Sequence, residues 1–361
     1  MTSLYVSLRL SLLGVGLADF PSCNFECSLC RLGSRGGKFH QKVSKVICLL
    51  GKMSGLYTLN EWTRPSFSGG VKPVKDQYTP LIDIVWFIDL VEILGRDAFD
   101  RLSSVISEWT SQRIPHDILR FIPYAAFEVE VSDPTSKTIY SDLLNLAATR
   151  CQIKIEVIRE IGDMNVERAN RIKESAVRLC GATDIHILTP NAFDNLLTAK
   201  PSSTTCSITR RKTRKLSYLQ NQLVSLANWL NLDGEVEFIP PECLSQGIYV
   251  PRLDAAWLIK VPNGASGLMS ALLEKHKIKA TGDLCHLTLF GFEYEKATAH
   301  KHIAGSVANL SRHSYVGFLV TPKERVKQAE RIVNRYSYAF GFNNVFVLNE
   351  EDISKALINR N

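Results

Sequence analysis

The residues of this chain best suited to chemistry are carboxylates that occur twice in the same pattern. Pro80-Leu-Ile-Asp83-Ile-Val-Trp86 is matched by Pro251-Arg-Leu-Asp254-Ala-Ala-Trp257, and Phe127-Glu128-Val-Glu130 by Phe292-Glu293-Tyr-Glu295. Glu128 stands 45 residues after Asp83 and Glu293 stands 39 after Asp254, a difference that one loop absorbs. In a strand, residues two apart face the same side, so Glu128 and Glu130 are expected to project together while Phe127 and Val129 enter the opposite layer. An Asp on a neighbouring strand then brings a third carboxylate to the same place. Carboxylates this close raise one another's pKa, and a hard divalent cation with oxygen ligands removes the conflict. Mg2+ or Mn2+ bound by Asp83 and Glu128, or by Asp254 and Glu293, would activate a water and stabilise charge on a phosphorus undergoing in-line displacement. The expected chemistry is phosphodiester hydrolysis.

The elements that must position these groups recur with them. Phe99, Leu102, Val105, Ile106 and Trp109 step at helical spacing between the Asp and the first Glu, as do Leu268, Met269, Leu272 and Leu273 in the second copy. After Glu-x-Glu, Ile139, Leu143 and Leu146 correspond to Ile303, Val307 and Leu310, one loop residue out of step. A strand over Ile153 to Ile158 answers one over Tyr315 to Val320. The helix with Val166, Ala169 and Ile172 answers one with Val326, Ala329 and Ile332, and closing strands carry Leu188 and Leu348. Such a collinear series implies a duplicated domain over roughly residues 76 to 361. Each copy reads as strand, helix, strand, helix, strand, helix, strand, an α/β sandwich around a mixed sheet. Trp86 and Trp257 read as core aromatics, and His286 as an ordinary strand residue.

A strand Asp, about forty residues, then Glu-x-Lys or a variant on the next strand, followed by a helix across the sheet, resembles the PD-(D/E)XK superfamily of restriction-endonuclease-like nucleases. The phrase Ala-Phe-Glu-Val-Glu at residues 126–130, with the polar loop and Ile/Leu helix after it, is similar to restriction enzymes of that group. The resemblance covers about 115 residues, twice. It implies two tandem restriction-endonuclease-like domains. The implied activity is that of a Mg2+-dependent endodeoxyribonuclease cutting double-stranded DNA, in type II restriction-modification or defence. A fused pair could meet both strands of a duplex as a monomer with two active sites. The alternative is a DNA-binding protein in which one or both copies are catalytically inactive. Where the family carries a Lys that orients the attacking water, this chain has Glu130 and Glu295. Lys137 and Lys301, each two residues before the matched Ile139 and Ile303, are the candidates for the displaced role, with Lys296 a weaker one.

The remaining chain sets the context. At 361 residues and 45% hydrophobic it can bury about two domain cores, and its net charge of +7 favours polyanionic partners such as nucleic acid. The longest apolar runs are far shorter than a membrane span, and Arg9 interrupts the early apolar stretch, so neither a membrane segment nor a signal peptide is expected. Nine cysteines, an odd number with the later ones scattered singly, read as reduced and cytoplasmic. Cys23, Cys27 and Cys30 have a spacing that can ligate an iron–sulfur cluster, without the barrel such chemistry needs after it. The expected division is a leader over 1–52, a first domain over 53–200, a basic linker over 201–215 and a second domain over 216–361. On this reading Met53 could begin the folded protein. Arg210, Arg211, Lys212, Arg214 and Lys215 in the linker are the candidate phosphate contacts.

Overall fold

Each copy of the repeat builds one five-stranded mixed sheet. The computed structural model describes residues 37–63, 81–111, 114–180, 184–194, 196, 217–240, 251–278, 284–296, 300–340 and 344–358. The first sheet holds β1 (Tyr57–Thr63), β2 (Leu81–Asp89), β3 (Phe121–Glu130), β4 (Ile153–Ile158) and β5 (Ile185–Leu188), in that spatial order. The second holds β6 (Asp233–Phe238), β7 (Leu253–Lys260), β8 (His286–Tyr294), β9 (Val316–Thr321) and β10 (Val345–Asn349), also in sequence order across the sheet. In both, the first three strands are antiparallel and the last two join in parallel. A register shift follows the repeated tryptophan in both copies, at Trp86/Phe87 and Trp257/Leu258.

The helices of the first copy are α1 (Lys38–Met53), α2 (Leu90–Leu94), α3 (Arg96–Trp109), α4 (His116–Arg120), α5 (Ser136–Ala148), α6 (Val166–Cys180) and α7 (Asn191–Asp194). Those of the second are α8 (Tyr218–Trp229), α9 (Asn263–Lys275), α10 (His300–His313), α11 (Val326–Phe340) and α12 (Glu350–Ile358). Parallel neighbours require a crossover, and α5, α6, α10 and α11 supply it. The expected α/β architecture of two mixed sheets flanked by helices is therefore observed.

The leader boundary is wrong for residues 38–52. They form α1, which buries Val43, Val46, Ile47, Cys48 and Leu50 against the first sheet. Gly51 lies inside α1, where a Cβ would come within 2.7 Å of Thr58 and of the Trp86 indole. Its missing side chain is what lets the helix reach the sheet. Each unit thus begins with a helix and an edge strand, α1–β1 and α8–β6, one strand earlier than the periodicity suggests.

Alternation along the strands separates two kinds of face. On β3, Ala125, Phe127 and Val129 turn inward to a core that also contains Trp86, Trp257, Phe292 and Phe318 and runs continuously through both copies. Trp86 and Trp257 are fully buried, as expected of core aromatics. The outer faces pack separately, against α5 and α6 in the first copy and α10 and α11 in the second. Trp109, at the end of α3, crosses between copies to stand 5.8 Å from the Trp257 ring and 5.4 Å from that of Phe318. Hydrogen bonds from Tyr124 Oη to Leu284 O and from Tyr315 Oη to Ile118 O close the same junction. Among the described residues no helix is long and apolar enough to cross a membrane. Cys48 and Cys151 are buried, and Cys285 is disulfide-bonded, which departs from the expectation of reduced cysteines throughout.

Candidate active site

Asp83 enters from β2 and Glu128 and Glu130 from β3, and the backbone locks the first two together. Val129 N–H donates to Asp83 Oδ2 at 2.9 Å, and Asp83 N–H donates to Glu128 Oε2 at 3.1 Å. Asn145, from α5, donates through Nδ2 to the other Glu128 oxygen at 3.0 Å. Glu128 is 3% exposed, so burial is the main reason its pKa stands well above the usual carboxylate range, with Asp83 and Asp142 adding repulsion.

The cluster is larger than the motif. Asp142 on α5 is pushed up to about 7 by burial and then by Asp83 and Glu130. Glu156 on β4 is in parallel register with Glu128 and completely buried, and neither of its carboxylate oxygens has a hydrogen-bond partner. Burial, followed by Asp142 and Glu128, drives its pKa far upward. Beside these groups stands His40 of α1, whose Nε2 lies 3.4 Å from Asp83 Oδ2; that contact is the chief cause of its raised pKa.

The second copy repeats the frame. Tyr294 N–H donates to Asp254 Oδ2 at 2.7 Å, as Val129 N–H does to Asp83, and Asn309 Nδ2 donates to Glu293 Oε1 at 3.3 Å, as Asn145 does to Glu128. Burial raises both acids, Glu293 to about 8. One further acid recurs on the edge strands. Glu61 and Glu237 sit across the strand pair from Asp83 and Asp254, where the ladder register is interrupted, and both hold left-handed backbone at φ 48° and 50°. A glutamate rarely adopts that conformation, and strain of this kind concentrates at functional positions.

The two copies then diverge. Ser306 stands where α5 has Asp142, and its hydroxyl donates to Glu295 at 3.0 Å. Leu319 is in register with Glu293 where Glu156 faces Glu128. Arg252 approaches Glu237 to 2.8 Å.

Lys137 and Lys301 lie in the first turns of α5 and α10, both exposed, and no hydrogen bond or ion pair joins either to a carboxylate of the cluster. Lys296 instead covers the Tyr294 ring at 5.3 Å. The basic run from Arg210 to Lys215 and the cysteines at 23, 27 and 30 lie outside the described residues. His286 is the first residue of β8, as expected.

The donor chemistry suits a hard divalent cation: carboxylate oxygens in excess, two of them buried without any partner. As the side chains stand, no group of three or more His, Cys, Asp or Glu among the described residues is arranged to hold an ion. Peptide N–H groups hold one oxygen of Asp83 and one of Glu128.

Compared with known proteins, the chain matches no family model, no curated protein and no solved structure.

Proposed function

We propose that this protein is a divalent-cation-dependent endonuclease that hydrolyses phosphodiester bonds of double-stranded DNA, in restriction or defence. The observation that carries the reading is a pair of corresponding hydrogen bonds kept in two copies that have otherwise diverged. In each, an Asp accepts the N–H that follows the first Glu, and an Asn on the next helix holds that Glu. Carboxylates that merely face solvent need no such frame. The resemblance of Asp83, Glu128 and Glu130 to the nuclease motif supports the same chemistry, as does the basic balance of the chain, +7.

Asp83 and Glu128 would hold Mg2+ or Mn2+, which supplies an activated water and charge stabilisation at phosphorus. Glu130 and Asp142 flank that position. His40, 3.4 Å from Asp83, would orient the Asp83 carboxylate.

The test is digestion of supercoiled plasmid with Mg2+ and with EDTA, using the wild-type chain and Glu128→Gln. Cleavage is expected only with Mg2+ and only with Glu128 intact. The assignment fails if Glu128→Gln cuts like wild type, or if EDTA leaves the activity unchanged.

A further inference from the structure

The acidic clusters of the two copies are not equivalent, and the difference centres on one residue of β4. Glu156 faces the same side of the sheet as Glu128, because the two are paired in parallel register. It is wholly inaccessible to solvent and both oxygens lack a partner. A carboxylate deprived of water and of hydrogen bonds is among the most costly groups a core can contain. The fold does not need it there, since Leu319 fills the matching position of the second copy. The groups that act on it electrostatically, Asp142, Glu128, Asp83 and Glu130, are all acidic.

In the second copy each of these excesses has been removed. Leucine replaces Glu156, Ser306 replaces Asp142 and donates a hydrogen bond to Glu295, and Arg252 brings a fixed positive charge to Glu237. In the first copy the groups that act electrostatically on Glu156 are all acidic. The second copy carries a fixed positive charge, Arg252, in its own sequence.

Resting on the reading of the site as a cation-dependent nuclease, we propose that Glu156 is a further ligand of the divalent cation in the first copy, and that the chain binds one such ion there and none in the second copy. A hard ion accepts six or more oxygens, so a third carboxylate beside Asp83 and Glu128 is readily accommodated. The second copy then keeps its framed carboxylates as structure, and cleavage belongs to the first.

Titration of the full chain with Mn2+, followed by the paramagnetic resonance signal of the free ion, tests this. One Mn2+ per chain is expected. Glu156→Leu, which copies the second domain, and Glu156→Gln, which keeps the shape, are each expected to weaken Mn2+ binding by roughly tenfold or more. Glu293→Gln should leave stoichiometry and affinity unchanged. Two ions per chain, one of them lost in Glu293→Gln, would overturn the inference and leave the nuclease assignment standing. Unchanged affinity in both Glu156 variants would remove Glu156 from the ligand set. A wild-type chain that binds no Mn2+ overturns the assignment itself along with the inference.

Discussion

A carboxylate with no water and no donor destabilises the fold it sits in, and Glu156 is such a group. Replacing it with leucine should therefore stabilise the cation-free protein, by about 1–3 kcal/mol from the desolvation cost of an unsatisfied polar group, while removing cleavage. Urea unfolding in EDTA measures the first effect and plasmid digestion the second. A less stable Glu156→Leu would mean that the carboxylate has a partner. Opposite effects on stability and activity are the signature of a residue kept for function. At this scale only part of the site could be read from the sequence. Asp83, Glu128, Asp254 and Glu293 were legible because the short phrases around them recur. His40, Glu61, Asp142 and Glu156 come from elements remote in sequence from the motif, three of them without a counterpart carboxylate or histidine established in the second copy, so repetition gave no signal. Asn145 and Asn309 could have been found, since they lie 17 and 16 residues past the first Glu, the same one-residue shift as the helix around them. Among apolar neighbours on a helix, each asparagine simply resembled a polar face. Lys137 and Lys301 occupy exposed first-turn positions, and no hydrogen bond or ion pair joins them to the strand carboxylates.

Elements decide whether those side chains meet, and α1 is the one the sequence pattern concealed. Its buried positions, Val43, Val46, Ile47 and Leu50, do step at helical spacing. They follow a cysteine-rich stretch without periodicity and end on Gly51-Lys52, which imitates a loop. The glycine has a packing cause instead, and the second copy reaches the same close approach by exchanging sizes across the contact. There Ala227 occupies the helix and Gly234 the strand, where a Cβ would meet Ala227 at 2.9 Å. Gly51→Ala should accordingly cost about 1–3 kcal/mol, the usual penalty of overpacking a filled core, as read by urea unfolding. An unchanged midpoint would show that α1 can shift outward freely. A chain beginning at Met53 removes α1 altogether, uncovering the inner face of the first sheet and taking His40 from Asp83. It should lose its cooperative unfolding transition and its activity, contrary to what the sequence pattern alone leads one to expect. A Met53 chain that unfolds cooperatively and cuts DNA would reduce α1 to an accessory. The short edge strands β1 and β6 escaped detection for a related reason: neither sequence, Tyr-Thr-Leu-Asn-Glu-Trp-Thr nor Asp-Gly-Glu-Val-Glu-Phe, offers a clean apolar alternation.

Across the whole molecule, the two copies share one core, and the carboxylates on their outer faces make its stability depend on pH in a definite direction. The shared core follows from Trp109, which the first copy contributes to an aromatic cluster of the second with Trp257, Phe292 and Phe318. Trp109→Ala should cost about 3–5 kcal/mol and loosen both halves in a single transition; two separate transitions would mean that the copies fold independently. The pH dependence follows from protons held in the folded state. Asp142 is pushed up to about 7 and Glu293 to about 8, mainly by burial, so the native chain keeps protons that the unfolded chain releases near pH 4 to 5. A raised pKa of this kind gives stability that is fully present below the unfolded value and lost as pH rises through the folded one. His40, also raised, acts in the same sense. His186, which burial pushes down to about 4, acts in the opposite sense, but only below the ordinary histidine value of roughly 6.5. Between pH 7 and 9 the acids decide the sign, and in EDTA the melting temperature should fall across that interval. If the first copy binds Mg2+ as proposed, the ion favours its ionised carboxylates and should raise the melting temperature more at pH 9 than at pH 7. Glu293→Gln, which removes one titrating group of the second copy without touching the first, should flatten part of the slope in EDTA and leave the Mg2+ effect intact. A melting temperature that rises from pH 7 to 9 in EDTA, or a Mg2+ effect that vanishes in Glu293→Gln, would show that the outer carboxylates do not govern stability in the way their burial dictates.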